Sequence, residues 1–209
     1  MKFRDFNLHI STYFYIMLES LNNFDHHLFL TIHLWRNSFL DLVMPVITGN
    51  LTWIPLYLIL AFLLWKRFGK QILIILGTVA VLILFTDQSS NLIKNSVRRE
   101  RPCHDEQISS QVITPLGCGG KFGFVSAHAA NTLGLATFLW LLSGAINGFA
   151  ASKKRKFWLL LFPWSLLICW SRIYVGVHFP FDLLCGCLVG AFWGIVMFMV
   201  YKKVMPVLK

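Results

Sequence analysis

The chain has 209 residues, of which 56% are hydrophobic and 15% aromatic, and it carries a net charge of +10. Its apolar runs approach the roughly 20 residues that cross a bilayer, which excludes an ordinary soluble core. The positive charge does not point to nucleic acid, because lysines and arginines sit at the ends of apolar runs, where membrane topology puts them. These features predict an all-α integral membrane protein, a helical bundle of about five to six transmembrane helices. Residues 1–50 read as an amphipathic, interfacial N-terminal region and 51–203 as the transmembrane domain. The N-terminus shows no basic region, clean apolar run and small-residue cleavage site in series.

In chain order, Phe24 to Val43 interleaves apolar residues with His, Arg and Asp, which predicts a helix lying in the membrane interface. Pro45 and Gly49-Asn50 should end it. Ile10 to Leu21 is a poor candidate span, and His26, His27, His33 and His104 are expected at the wet interface. Spans are predicted over Leu51–Trp65, Gln71–Leu92, Phe124–Ile146, Phe157–Trp170 and Phe181–Tyr201. Alternation then gathers the turn Lys66–Lys70, the run Lys153–Lys156 and the C-terminus on one side. Those segments hold ten basic residues and no acidic one, the signature of a cytoplasmic face. The polar loop 95–123 and the stretch Ser171–Asp182 (SRIYVGVHFPFD) fall on the outer face, periplasmic in a Gram-negative cell.

Three polar clusters share that outer end: Lys94 to Pro102, with Arg98, Arg99 and Arg101; Ser126-Ala127-His128; and Arg172, His178 and Asp182. Lys94, Arg101 and Arg172 would be fixed cations and Ser126 a hydroxyl donor, a set suited to a phosphoryl group. A helix starting near Ser126 would add backbone N–H groups and a favourable dipole. Two histidines allow one to attack phosphorus and the other to protonate the leaving oxygen and then activate water. His178 is the better nucleophile, because Asp182 four residues on can stabilise the cation that develops on it. His128 is then the acid and base. No carboxylate cluster for a two-metal site is evident, so no metal or other cofactor is expected.

The series Lys94-x6-Arg101-Pro102, Ser126-Ala127-His128 and Ser171-Arg172-x5-His178-x3-Asp182 resembles the three-part signature of the type 2 phosphatidic acid phosphatase superfamily. The loop wording RPCHDE…GCGGKFGFVSAHAAN resembles the version of that family common in Bacteroidetes. The resemblance covers roughly residues 51–201 and implies Lys94, Arg101, Ser126 and Arg172 as phosphate ligands, His128 as general acid, His178 as nucleophile and Asp182 as its partner. The family's second motif usually reads Pro-Ser-Gly-His. Here Ala127 replaces the glycine, keeping the N–H but adding a methyl that disfavours positive φ and narrows the pocket. The function implied is a membrane lipid phosphatase acting on undecaprenyl diphosphate, lipid A phosphate, phosphatidylglycerophosphate or phosphatidate. The alternatives are an inactive lipid-phosphate binder of the same fold and, remotely, a haloperoxidase.

Arg98 and Arg99 divide between interfacial anchoring and recognition of a lipid headgroup. Asp87 is expected to pair with Lys94 or an arginine and so support the site from behind. Cys103 and Cys118 bracket the loop on the oxidising side, compatible with a disulfide or with two free thiols. Cys169, Cys185 and Cys187 read as core fillers.

Overall fold

The computed structural model describes residues 2–145 and 158–205. The run Lys153–Lys156, the ends of the spans at Ile146 and Phe157, and the last four residues lie outside them. The described chain is helical: α1 (Lys2–His33), α2 (Ser38–Ile47), α3 (Ile54–Phe68), α4 (Ile72–Val97), α5 (Ala127–Gly144), α6 (Leu161–Tyr174) and α7 (Pro180–Val204). Its one isolated β-bridge pairs Glu100 with Phe122.

The N-terminal region departs from expectation. Phe24–Val43 is not one helix, because α1 runs unbroken from Lys2 to His33 and the chain then breaks before α2. Asn37 sets the restart by accepting the Leu40 N–H in its side chain at 2.9 Å, an N-cap. Pro45 does not end α2, which continues two residues further, to Ile47. Nor are the histidines all at the wet interface. His33 is fully buried, hydrogen-bonded through Nδ1 to the Ile173 carbonyl at 3.1 Å and accepting the Ile113 N–H at 3.0 Å. His26 is buried against Phe179 and contacts Asp105 at 3.0 Å. Only His27 and His104 stay exposed. A buried imidazole needs a partner on each nitrogen, and these partners come from segments over 70 positions away, invisible to local periodicity.

Among the described residues, two stretches are long and apolar enough to cross a bilayer: Asn50–Val97, which is α3 and α4 joined by a tight turn at Gly69–Gln71, and Pro180–Val204, which is α7. Their outward faces carry apolar side chains in the open, with Leu73 74% and Leu188 63% exposed. Apolar surface on that scale is tenable only against lipid, and the chain is an integral membrane protein. Helix α5 forms the hub and packs most extensively on α7. Glycines 186, 190 and 194 recur every fourth residue on α7, one face of a helix. A Cβ on Gly190 would stand 2.2 Å from the Ala130 carbonyl oxygen, so the two backbones touch where only glycine fits. Below this seam the core is built from Leu82, Phe138, Leu139, Trp164, Met197 and Tyr201. A smaller cluster of Phe29, Ala129, Ile173, Phe179 and Leu183 underlies the end of the bundle where the polar groups collect.

Candidate active site

The C-terminal ends of α4 and α6 and the N-terminal ends of α5 and α7 bring the three motifs to one place. Helix α7 starts at Pro180 behind Phe179, so Asp182 is its third residue, where a carboxylate faces the positive end of the helix dipole. Asp182 Oδ2 accepts the Phe179 N–H at 3.0 Å and lies 3.4 Å from His178 Nδ1. That contact holds the proton on Nδ1 and leaves Nε2 with a free lone pair. Both side chains are buried, His178 2% and Asp182 0% exposed. Burial pushes the His178 imidazole down to about 4, with Asp182 opposing the shift. The chain reaches this position through Gly176 at φ 78°; a Cβ there would lie 2.7 Å from a Val112 methyl.

Helix α5 begins at Ala127, with Ser126 at its N-cap. The Ser126 N–H donates to the Asp182 carbonyl at 3.0 Å, locking the two helix starts together. Ser126 Oγ is fully buried with no partner. Ala127 is an ordinary right-handed helical residue, so the departure from glycine costs no backbone strain. His128 is within electrostatic reach of His178, Arg101, Arg172 and Lys94. These three cations also repel one another. Arg101 is steadied by the Cys118 carbonyl at 2.9 Å and Arg172 by Thr48 Oγ1 at 2.8 Å, while Arg172 Nε is buried without an acceptor. Close-set cations, a free hydroxyl and an unpaired guanidinium N–H describe a seat for a multiply charged anion.

Arg99 is turned inward onto carboxylates of the protein. Its Nη1 lies 3.0 Å from Asp182 Oδ1 and 2.8 Å from Asp25 Oδ2, and its guanidinium sits 4.1 Å over the Phe179 ring. Asp25, wholly buried on α1, also accepts the Phe181 N–H at 3.0 Å. The loop explains the choice. Extended backbone at Glu100 puts Arg99 and Arg101 on one face and turns Glu100 outward to Lys121, 2.7 Å away. Arg98 is exposed and bonds only its own helix end, at the Asn95 carbonyl. Cys103 and Cys118 form a disulfide across the same loop, their Cα atoms 5.9 Å apart.

Asp87 pairs with neither Lys94 nor an arginine; it accepts from Asn131 Nδ2 at 2.9 Å. Seven residues separate Asp87 from Lys94, about 10 Å along a helix, too far for contact. Three residues escaped the sequence reading. Arg99's role and Asp25 gave no local signal beyond an acidic residue in an amphipathic run. Gly123 is the third: a Cβ there would lie 3.0 Å from Asp182 Oδ2 and 3.5 Å from His178 Nδ1, so glycine lets the loop close on the pair without pushing the carboxylate aside.

The PAP2 superfamily model matches residues 71–206. The chain belongs to the PAP2 superfamily. It is 33% identical over 193 residues to a lipid A 4'-phosphatase of Bacteroides thetaiotaomicron, covering 90% of this chain and 81% of that one. It is also 33% identical to a lipid A 4'-phosphatase of Porphyromonas gingivalis, covering 88% and 75%. The fold is similar to a transmembrane PAP2 type phosphatidylglycerolphosphate phosphatase of Bacillus subtilis, with TM-score 0.68, 20% identity and coverage of 93% and 96%. It is likewise similar to Aquifex aeolicus LpxE, with TM-score 0.60, 22% identity and coverage of 83% and 93%. As a PAP2 superfamily member with named phosphatase relatives, the chain is a phosphoric monoester hydrolase, and its substrate class is a membrane lipid.

Proposed function

We propose that this lipid phosphatase removes a phosphate from lipid A at the outer face of the inner membrane, through a phosphohistidine on His178. The observation that carries the chemistry is the convergence of Arg101 and Arg172 on both histidines, with Lys94 beside His128. The lipid A reading is supported by the two lipid A 4'-phosphatases, whose similarity extends along about nine-tenths of the chain.

His178 Nε2 attacks phosphorus while Asp182 stabilises the imidazolium that forms. The bond from phosphorus to the leaving oxygen breaks, and His128 supplies the proton that oxygen needs. Water, deprotonated by His128, then attacks the phosphohistidine; the phosphorus–nitrogen bond breaks and phosphate leaves. Lys94, Arg101, Arg172 and Ser126 Oγ balance charge on the phosphoryl oxygens.

The orientation rests on Lys66, Arg67, Lys202 and Lys203 at the far helix ends and on the disulfide in the site loop. Helices α3 to α7 would be the spans and α1 a partner on the outer surface.

The test is phosphate release from lipid A, undecaprenyl diphosphate, phosphatidylglycerophosphate and phosphatidate by detergent-solubilised protein, with His178→Ala as blank. Lipid A should be turned over fastest. A preference for any of the other three would sink the substrate assignment. Chelator should leave the rate unchanged; loss restored by a divalent ion would overturn the metal-free route.

A further inference from the structure

Beside His128 lies a cavity of about 240 Å³, bounded by Asp87 of α4, Asn131 of α5 and an aromatic wall of Trp53, Tyr57 and Trp164. Neither His178 nor any of Lys94, Arg101 and Arg172 lines it, and Asp87 is the only acidic residue on its wall. A carboxylate repels an anion, so this is not the phosphate's seat. The cavity is smaller than the roughly 300–1,000 Å³ of drug-sized sites and suits a single ring.

The wall is already in place. Trp53 Nε1 donates to the Ile47 carbonyl at 2.7 Å, and Trp53 and Tyr57 meet Trp164 edge-on at 5.7 and 6.2 Å. The polar floor is also braced: Asn131 Oδ1 accepts from Thr86 and its Nδ2 donates to Asp87 Oδ1. Asp87 Oδ2 is not engaged by Asn131 and can accept. An acyl chain would leave that carboxylate oxygen unsatisfied, at a cost. A hydroxylated ring answers it, with C–H faces against the aromatic wall and a hydroxyl donating to Asp87. Thr48 joins the two sites, lining the cavity while accepting from Arg172 at 2.8 Å.

We infer that this cavity is the leaving-group subsite and takes the uncharged sugar ring whose oxygen carries the phosphate. The inference rests on the proposed reaction. As His178 Nε2 bonds to phosphorus, the phosphorus–oxygen bond to the sugar breaks in line, its electron pair stays on the sugar oxygen, and the proton comes from His128. The leaving oxygen therefore lies at His128, and the ring it belongs to lies beyond, where the cavity is.

The test compares wild type with Asp87→Asn and Trp53→Phe, using an N-acylglucosamine lipid phosphate and a plain alkyl phosphate. The ratio of their kcat/KM values should fall about tenfold in each variant, as expected when a hydrogen-bonding or stacking site loses its ring contacts. An unchanged ratio, with both substrates affected alike, would overturn the subsite. A second arm titrates the phosphate-free N-acylglucosamine lipid against intrinsic tryptophan fluorescence. Saturable binding in wild type, weakened in Asp87→Asn, is expected; absence of binding overturns the inference. Faster hydrolysis of another sugar phosphate lipid than of lipid A, with ring binding intact, would refute the lipid A reading and leave the subsite standing; binding without hydrolysis of any sugar phosphate would overturn both.

Discussion

The carboxylate of Asp182 is fully engaged: it accepts from Phe179, His178 and Arg99, and the same Arg99 nitrogen, Nη1, also meets Asp25. The groups facing His128 are the opposite. Lys94, Arg101 and Arg172 repel one another, and Ser126 Oγ and Arg172 Nε are buried without partners. One half of the site is satisfied by the protein; the other is left with repelling cations and unpaired donors, which the proposed phosphate would satisfy. The difference separates residues that hold geometry from those whose strain suits the proposed binding.

The comparison is tested hardest at the junction of the halves. His178→Ala should abolish turnover, by roughly 10³-fold or more, and no phosphoenzyme should be trapped after acid quench. Retention of near-normal turnover would move the nucleophile elsewhere.

On the satisfied side, Arg99→Ala leaves Asp25 and Asp182 buried with like charge. Breaking a buried pair costs about 3–5 kcal/mol, so thermal unfolding in detergent should drop by many degrees. Arg99→Lys should recover only part of the loss. An Arg99→Ala protein as stable as wild type would mean the brace is ornamental.

On the unsatisfied side, the signs of activity and stability should part company. Lys94→Met should lower kcat/KM by roughly 10–100-fold, as loss of one charged contact does. It should leave the unfolding temperature unchanged or higher, because a half-buried repelled cation is gone. A clear fall in stability would show that Lys94 is structurally paired.

The smallest expected effect concerns pH. Burial pushes the His178 imidazole down to about 4 in the folded protein, against an ordinary value of 6.5. Neutral His178 is therefore retained on folding, and the stability it contributes is whole above pH 6.5 and declines as pH falls from there towards 4. The acid limb of kcat/KM assigned to His178 should lie near pH 4, and in Asp182→Asn it should shift lower still, because the carboxylate raises the value. An acid limb that stayed put in Asp182→Asn would separate it from His178.

The helices were legible in the chain because hydropathy and helical period act locally: the segments expected over Leu51–Trp65, Gln71–Leu92 and Phe181–Tyr201 coincide with α3 (Ile54–Phe68), α4 (Ile72–Val97) and α7 (Pro180–Val204), apart from shifted ends. The three motifs were legible because each sits at a helix end, where short spacing fixes relative position. His178 and Asp182 needed only the start of α7 to face each other. What misled was partnership across distance. Arg99 looked like a surface charge until the loop at Glu100 aimed it at Asp182, and Asp87 looked like a partner for Lys94 until α5 supplied Asn131.

The sequence by itself determined the membrane class and the gathering of the charged motifs at one end of the bundle, since these follow from composition and from spacing at helix ends. Tertiary structure alone decided that Asp25 of α1 anchors the arginine behind Asp182, that Gly123 admits the loop to the histidine, and that an aromatic-walled cavity opens behind His128. Each of these needs elements far apart in the chain to meet, and a meeting of that kind is set by packing, which no local pattern encodes.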